Sequence, residues 1–135
     1  MIVDTSALLA YFNAREPDHA AVAAPIDQAA EPLVVSPYVV AELDYLVATQ
    51  IGIEAELAVL AELAGGAWEL ATIGVAELLK CRDLVERYAD QSIGAAHAST
   101  VVLAKRYRTR SIATLDRRHF EAVRPLDGGT FTILP

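Results

Sequence analysis

At 135 residues and 54% hydrophobic, with a mean hydropathy of +0.33, the chain is too apolar to stay unfolded. It is long enough to bury about two thirds of its unfolded surface in one domain, residues 1–135. No apolar run nears the roughly 18 residues that cross a bilayer, so no membrane partner is expected. Net charge of −7 argues against nucleic acid unless the basic residues are segregated. They are: Lys105, Arg106, Arg108, Arg110, Arg117, Arg118 and Arg124 are seven of the eleven. Cys81 is the only cysteine and no secretory signal is evident, so a cytoplasmic setting is expected.

Ile2-Val3 reads as a short buried strand that stops at Asp4, with Thr5 and Ser6 as N-cap candidates for a helix carrying Leu8, Leu9 and Phe12. Pro17 is expected to open a second helix reaching about Ala30, interrupted or kinked at Pro25. Leu33-Val34-Val35 is a second strand. Ser36-Pro37 then starts a strong helix, with Val39, Val40, Leu43, Leu46 and Val47 on its apolar side. The next helix carries Leu57, Leu60, Ala61 and Ala64 on one face and stops at Gly65-Gly66. Trp68-Glu69-Leu70 is a weak strand. Val75, Leu78, Leu79 and Val85 set a helical spacing up to Tyr88. Asp90 precedes a helix through Ile93, Ala96, His97, Val101 and Ala104. Ser111 to Thr114 and Thr130 to Leu134 are the last strands. Strands alternating with helices predict an α/β fold around a parallel sheet.

Asp4 and Asp116 both follow short strands, at the sheet edge where ligands bind in parallel α/β folds. Glu42 and Asp90 lie at or near helix starts, which belong to the same edge. Four carboxylates converging from four segments repel one another unless a cation joins them. Oxygen-only ligation without a His or Cys cluster points to Mg²⁺ or Mn²⁺.

Ile2-Val3-Asp4-Thr5-Ser6, Ser36-Pro37-Tyr38-Val39-Val40-Ala41-Glu42, Tyr88-Ala89-Asp90-Gln91-Ser92-Ile93 and Ile112-Ala113-Thr114-Leu115-Asp116-Arg117 resemble the successive motifs of the PIN domain. In length and motif order the chain is similar to the VapC-type toxins of bacterial toxin–antitoxin pairs. The resemblance implies a PIN-like α/β/α sandwich with a short central parallel sheet. It implies a metal-binding, catalytic quartet of Asp4, Glu42, Asp90 and Asp116, with Thr5, Ser6 and Thr114 orienting the carboxylates. It also implies a metal-dependent endoribonuclease, the toxin of a type II system, cutting structured transfer or ribosomal RNA with metal-activated water. The implied partners are a cognate antitoxin and a second copy of the chain.

Other readings stand beside this one. An aspartyl-phosphate phosphohydrolase would also place an acid at position 4, although that class resembles Asp-x-Asp and position 6 is Ser6. A non-catalytic RNA-binding module is the other alternative. Arg106, Arg108, Arg110, Arg117 and Arg118 are candidate phosphate contacts, against the plainer reading that some of them favour a helix C-terminus. His97, on a stripe with Ile93 and Val101, is expected to be a core histidine rather than a ligand. His119 is expected in an exposed loop.

Overall fold

The short apolar runs become strands because their β-branched residues alternate between two interiors. In the computed structural model, which describes residues 1–135, Ile2, Val34 and Ile112 face one hydrophobic cluster, and Val3, Val35 and Ala113 face the other. Neither side of these strands meets water, as expected of a parallel sheet covered on both faces. The strands are β1 (Ile2–Val3), β2 (Val34–Val35), β3 (Glu69–Leu70), β4 (Ser111–Ala113) and β5 (Thr132–Leu134). All pair parallel, in the order β3-β2-β1-β4-β5. The first strand is therefore the central one.

Four helices precede the third strand: α1 (Thr5–Phe12), α2 (His19–Asp27), α3 (Pro37–Gln50) and α4 (Ile53–Ala64). Their buried residues, among them Leu8, Val22, Leu43, Val47, Val59 and Leu63, join Trp68 in the first cluster. The other face is covered by α5 (Val75–Arg87), α6 (Ala95–Arg106) and α7 (Arg117–Ala122) through Cys81, Leu84, Val101, Leu103 and Phe120. The architecture is the expected α/β/α sandwich. Ser36 caps α3, its hydroxyl accepting from the Tyr38 amide at 3.2 Å, with Pro37 at the first helical position.

Several local expectations fail, each for a physical reason. Asp4, not Thr5 or Ser6, is the N-cap of α1, because the helix begins directly as the strand ends. The second helix starts at His19 and tolerates Pro25 without breaking. On α4 the buried stripe is Val59 and Leu63, while Leu57 is 61% exposed. On α5 it is Cys81 and Leu84, while Val75, Leu78, Leu79 and Val85 are all exposed. Apolar residues on both sides of these helices left the inward face ambiguous. The α7 helix was not anticipated at all; its single apolar anchor is Phe120.

Two neighbouring helices of the second layer, α5 and α6, are tied at their ends. Glu77 accepts from the Gly74 amide at 2.9 Å, closing the start of α5, and from the Arg106 guanidinium at 2.5 Å, at the end of α6. Arg106 also donates to the Thr72 carbonyl. The Gly74 amide, then Arg106 and Lys80 acting against partial burial, hold the Glu77 carboxyl below its ordinary range. A lowered value means that this contribution is present above the ordinary glutamate value and is lost as pH falls through the lowered one. Glu77→Gln should therefore cost about 1 kcal/mol at neutral pH, the usual worth of an N-terminal cap. Urea unfolding of the two proteins should converge in acid; a constant difference across pH would refute the clamp.

Candidate active site

Asp4 stands where the central strand ends and α1 begins, with its side chain only 2% exposed. A carboxylate so placed needs donors. Two hydroxyls reach Oδ2: Ser6, two residues on, at 3.0 Å, and Thr114, one residue past the end of β4, at 3.0 Å. The β1–β4 pairing brings Thr114 there, since Asp4 continues the ladder by donating its amide to the Ala113 carbonyl. Thr114 in turn accepts from the Asp116 amide at 3.0 Å, and Ser6 from the Leu115 amide at 2.9 Å. These bonds lock the two strand ends together.

Glu42 comes from the second turn of α3, where it is exposed and its Oε2 accepts from the Thr5 hydroxyl at 2.5 Å. A buried Ser36–Ser99 contact of 2.6 Å pins the start of α3 against α6. Asp4, Thr5, Ser6, Leu9, Glu42, Leu46, His97 and Asp116 thereby line one open pocket of about 240 Å³ at the carboxyl edge of the sheet. Thr5, Ser6 and Thr114 all bond to the carboxylates they were expected to orient.

Asp90 does not join this group. It lies in an exposed 3₁₀ turn, Ala89–Gln91, accepting from the Gln91 side chain at 3.2 Å. Ser92 then takes a left-handed conformation (φ 54°), and α6 begins only after Gly94. The helix start that faces the pocket carries His97 instead. Its Nε2 lies 3.2 Å from Asp116 Oδ2 and 3.9 Å from Asp4 Oδ2.

His119 is equally unlike its expectation. It sits on α7, half-buried, with Nδ1 2.6 Å from Asp116 Oδ2 and Nε2 2.9 Å from the Gln91 carbonyl. Partial burial alone would raise the Asp116 carboxyl, but the hydrogen bond and charge of His119, then the charge of His97, outweigh it and hold it low. The expectation of oxygen donors alone was thus incomplete, because two imidazoles share the acidic site. The available signal was His119, three residues after Asp116, and His97, at helical spacing from Asp90; only the chain path shows that they converge.

Two buried atoms here have no hydrogen-bond partner, Asp4 Oδ1 and His97 Nε2. One is an anionic oxygen and the other a ring nitrogen. A cation is the group that fits beside both, so the donor set suits a divalent metal ion.

The basic residues divide. In a parallel sheet Arg110 precedes β4 and Asp116 follows it, so residues 105–110 belong to the opposite edge from the pocket. Arg106 is engaged with Glu77, and Arg110 with Asp127 and the Gly128 carbonyl. Arg108 is exposed on that far edge. Arg117 and Arg118 begin α7 beside Asp116 and are exposed, Arg117 donating to the Pro135 carbonyl.

Comparison with known proteins agrees with this geometry. The PIN domain family model matches residues 1–125. The chain is 68% identical, over all 135 residues and the full length of the relative, to ribonuclease VapC26 of Mycobacterium tuberculosis (strain ATCC 25618 / H37Rv). Its structure is similar to that of M. tuberculosis VapC20, a sarcin-ricin loop cleaving toxin, with a TM-score of 0.79, 16% identity and coverage of 85% of this chain and 88% of that one. It is also similar to FitAcB from Neisseria gonorrhoeae, with a TM-score of 0.62, 22% identity and coverage of 97% and 96%. At those identities the two structures speak for the fold alone.

The hydroxyl pair around Asp4 gives a direct test. Thr114→Val keeps the shape but removes a donor to a buried carboxylate and an acceptor for the Asp116 amide. It should destabilise the protein by about 1–3 kcal/mol in denaturant unfolding without added metal. No change would mean that Ser6 alone satisfies Asp4.

Proposed function

The chain belongs to the PIN domain family, and from that premise we propose that it is a metal-dependent endoribonuclease, the toxin of a type II toxin–antitoxin pair. The observation that carries the reading is the convergence of Asp4, Glu42 and Asp116 on one open pocket, with a buried oxygen of Asp4 unpartnered. The full-length likeness to a ribonuclease supports it. The whole of residues 1–135 acts as one nuclease domain, on structured cellular RNA of the transfer or ribosomal kind.

Asp4, Glu42 and Asp116 would hold the ion, Mg²⁺ or Mn²⁺ in the simplest reading. When bound, a divalent ion polarises the phosphoryl oxygen and lowers the pKa of water. The chain's own residues do the rest. Ser6 and Thr114 fix Asp4 in one rotamer, so no reorganisation is needed when the substrate arrives. Thr5 bonds one oxygen of Glu42 and leaves Oε1 without a hydrogen bond, free to accept the proton of the attacking water. Water oxygen bonds to phosphorus as the bond to the 3′ oxygen breaks, giving 5′-phosphate and 3′-hydroxyl ends without using the 2′-hydroxyl. Arg117 and Arg118, at the pocket edge, offset the acidic bulk by contacting RNA phosphates. Arg106 and Arg110 are spent on the fold and take no part.

The same reading includes partners. Leu57, Val75, Leu78 and Leu79 leave apolar surface on α4 and α5 that suits a second copy and an antitoxin segment. It also places the protein in the cytoplasm.

Brief induced expression should arrest growth and yield new RNA ends of that chemistry. Asp4→Asn, folded, should lose roughly a hundredfold or more of the cleavage rate, and adding Asp116→Asn should lose little further, since both serve one step. Cleavage undiminished in folded Asp4→Asn would sink the mechanism.

A further inference from the structure

One histidine lining the acidic pocket and a second against its Asp116 bear on the ion it would prefer. His97 enters from α6 and His119 from α7, and both approach the same oxygen of Asp116, at 3.2 and 2.6 Å. The ligand atoms of His97, Asp116 and His119 all lie within 4.8 Å of one another. Donors around one ion at about 2.1 Å stand about 3 to 4 Å apart, so side-chain movements of an ångström or so would seat all three.

The orientation of His119 is fixed by what it touches. The Gln91 carbonyl can only accept, so Nε2 carries a proton and donates it at 2.9 Å. That leaves Nδ1 facing Asp116 Oδ2 at 2.6 Å, sharing a proton that a metal ion would displace as the two donors move apart to about 3 Å. A ring nitrogen turned to the site while its partner donates to a backbone carbonyl is the usual arrangement of a metal-ligating histidine. The support comes from the 3₁₀ turn Ala89–Gln91, which contributes its backbone rather than the Asp90 carboxylate. His97 Nε2 is buried, has no hydrogen-bond partner and points at the acids. Asp4 Oδ1 is a second unpartnered buried atom on a residue 1% exposed.

We propose that His97, His119 and Asp116, with Asp4 adjoining, form a mixed nitrogen–oxygen centre that takes a first-row transition-metal ion, in the range Mn²⁺ to Zn²⁺, in preference to Mg²⁺. Imidazole is a poor ligand for Mg²⁺, which holds oxygen and water, and a good one for the later ions. The inference rests on the reading of this pocket as a metal-dependent catalytic site. Asp4 and Glu42 complete the oxygen side of the centre, so the same carboxylates serve in both.

The test is metal binding to the whole protein, without RNA. With Mn²⁺ bound, pulsed paramagnetic resonance should show coupling to directly bound ¹⁴N. The coupling should weaken in His97→Asp and in His119→Gln, and vanish in the double variant. By calorimetry, His119→Gln should bind Zn²⁺ at least about tenfold more weakly. His97→Asp, which exchanges one of the two nitrogen donors for a carboxylate, should shift the Zn²⁺-to-Mg²⁺ preference toward Mg²⁺ by at least about tenfold. Circular dichroism identifies any variant that fails to fold; the nitrogen coupling in the unaltered protein decides the question without variants. Absence of that coupling, or an unchanged preference in both folded variants, overturns the proposal. RNA cleavage with no nitrogen coupling would overturn it and leave the ribonuclease reading intact. Nitrogen coupling with no cleavage of any RNA would uphold the metal centre and count against the ribonuclease.

Discussion

A carboxylate buried at the end of the central strand constrains everything around it. Asp4 is 1% exposed, and an isolated charge so placed would be prohibitively unfavourable. The fold answers with two hydroxyls on one oxygen and leaves the other without a partner. Those hydroxyls are possible only because β4 pairs with β1 and carries Thr114 past the ladder's end. The strand order, with the first strand in the middle, is thus what gives the acid both its support and its company. Asp116 follows on the same strand's exit, and Glu42 follows the strand on the other side.

Electrostatics explains how an acidic chain can serve an anionic substrate. The net charge of −7 is a property of the whole surface, whereas binding depends on the field at the pocket. Arg117 and Arg118 begin the helix that leaves the pocket. The cluster at 105–110, more prominent in the sequence, is separated from the pocket by the length of β4, and two of its four charges are paired, Arg106 with Glu77 and Arg110 with Asp127. Proximity in sequence to the catalytic segment was therefore a poor guide, since one parallel strand carries the chain from one sheet edge to the other.

Helix faces were the weakest inference from sequence. Both α4 and α5 are apolar on more than one side, and the sides chosen from spacing are the exposed ones. Spacing identifies a helix but not its neighbour. Val59, Leu63, Cys81 and Leu84 are inside because the sheet lies on their side. The opposite faces, with Leu57, Leu78 and Leu79, remain as exposed apolar surface.

By itself the sequence determined the alternation of strand and helix, the parallel sheet, and the placing of Asp4 and Asp116 at strand exits. Short β-branched runs, the Ser36-Pro37 start and the acids that follow the first and fourth strands are local signals, and local chemistry suffices to read them. The tertiary structure decided which group fills the remaining place in the pocket. Asp90 and His97 are seven residues apart, two turns of an ideal helix, so on a continuous helix they would share one face. The left-handed Ser92 and the helix start after Gly94 break that continuity, turning Asp90 to solvent and His97 inward. His119 needed α7, which sequence periodicity alone was too short to show. Whether a side chain reaches a shared point in space depends on the path between segments, and one-dimensional spacing does not encode that path.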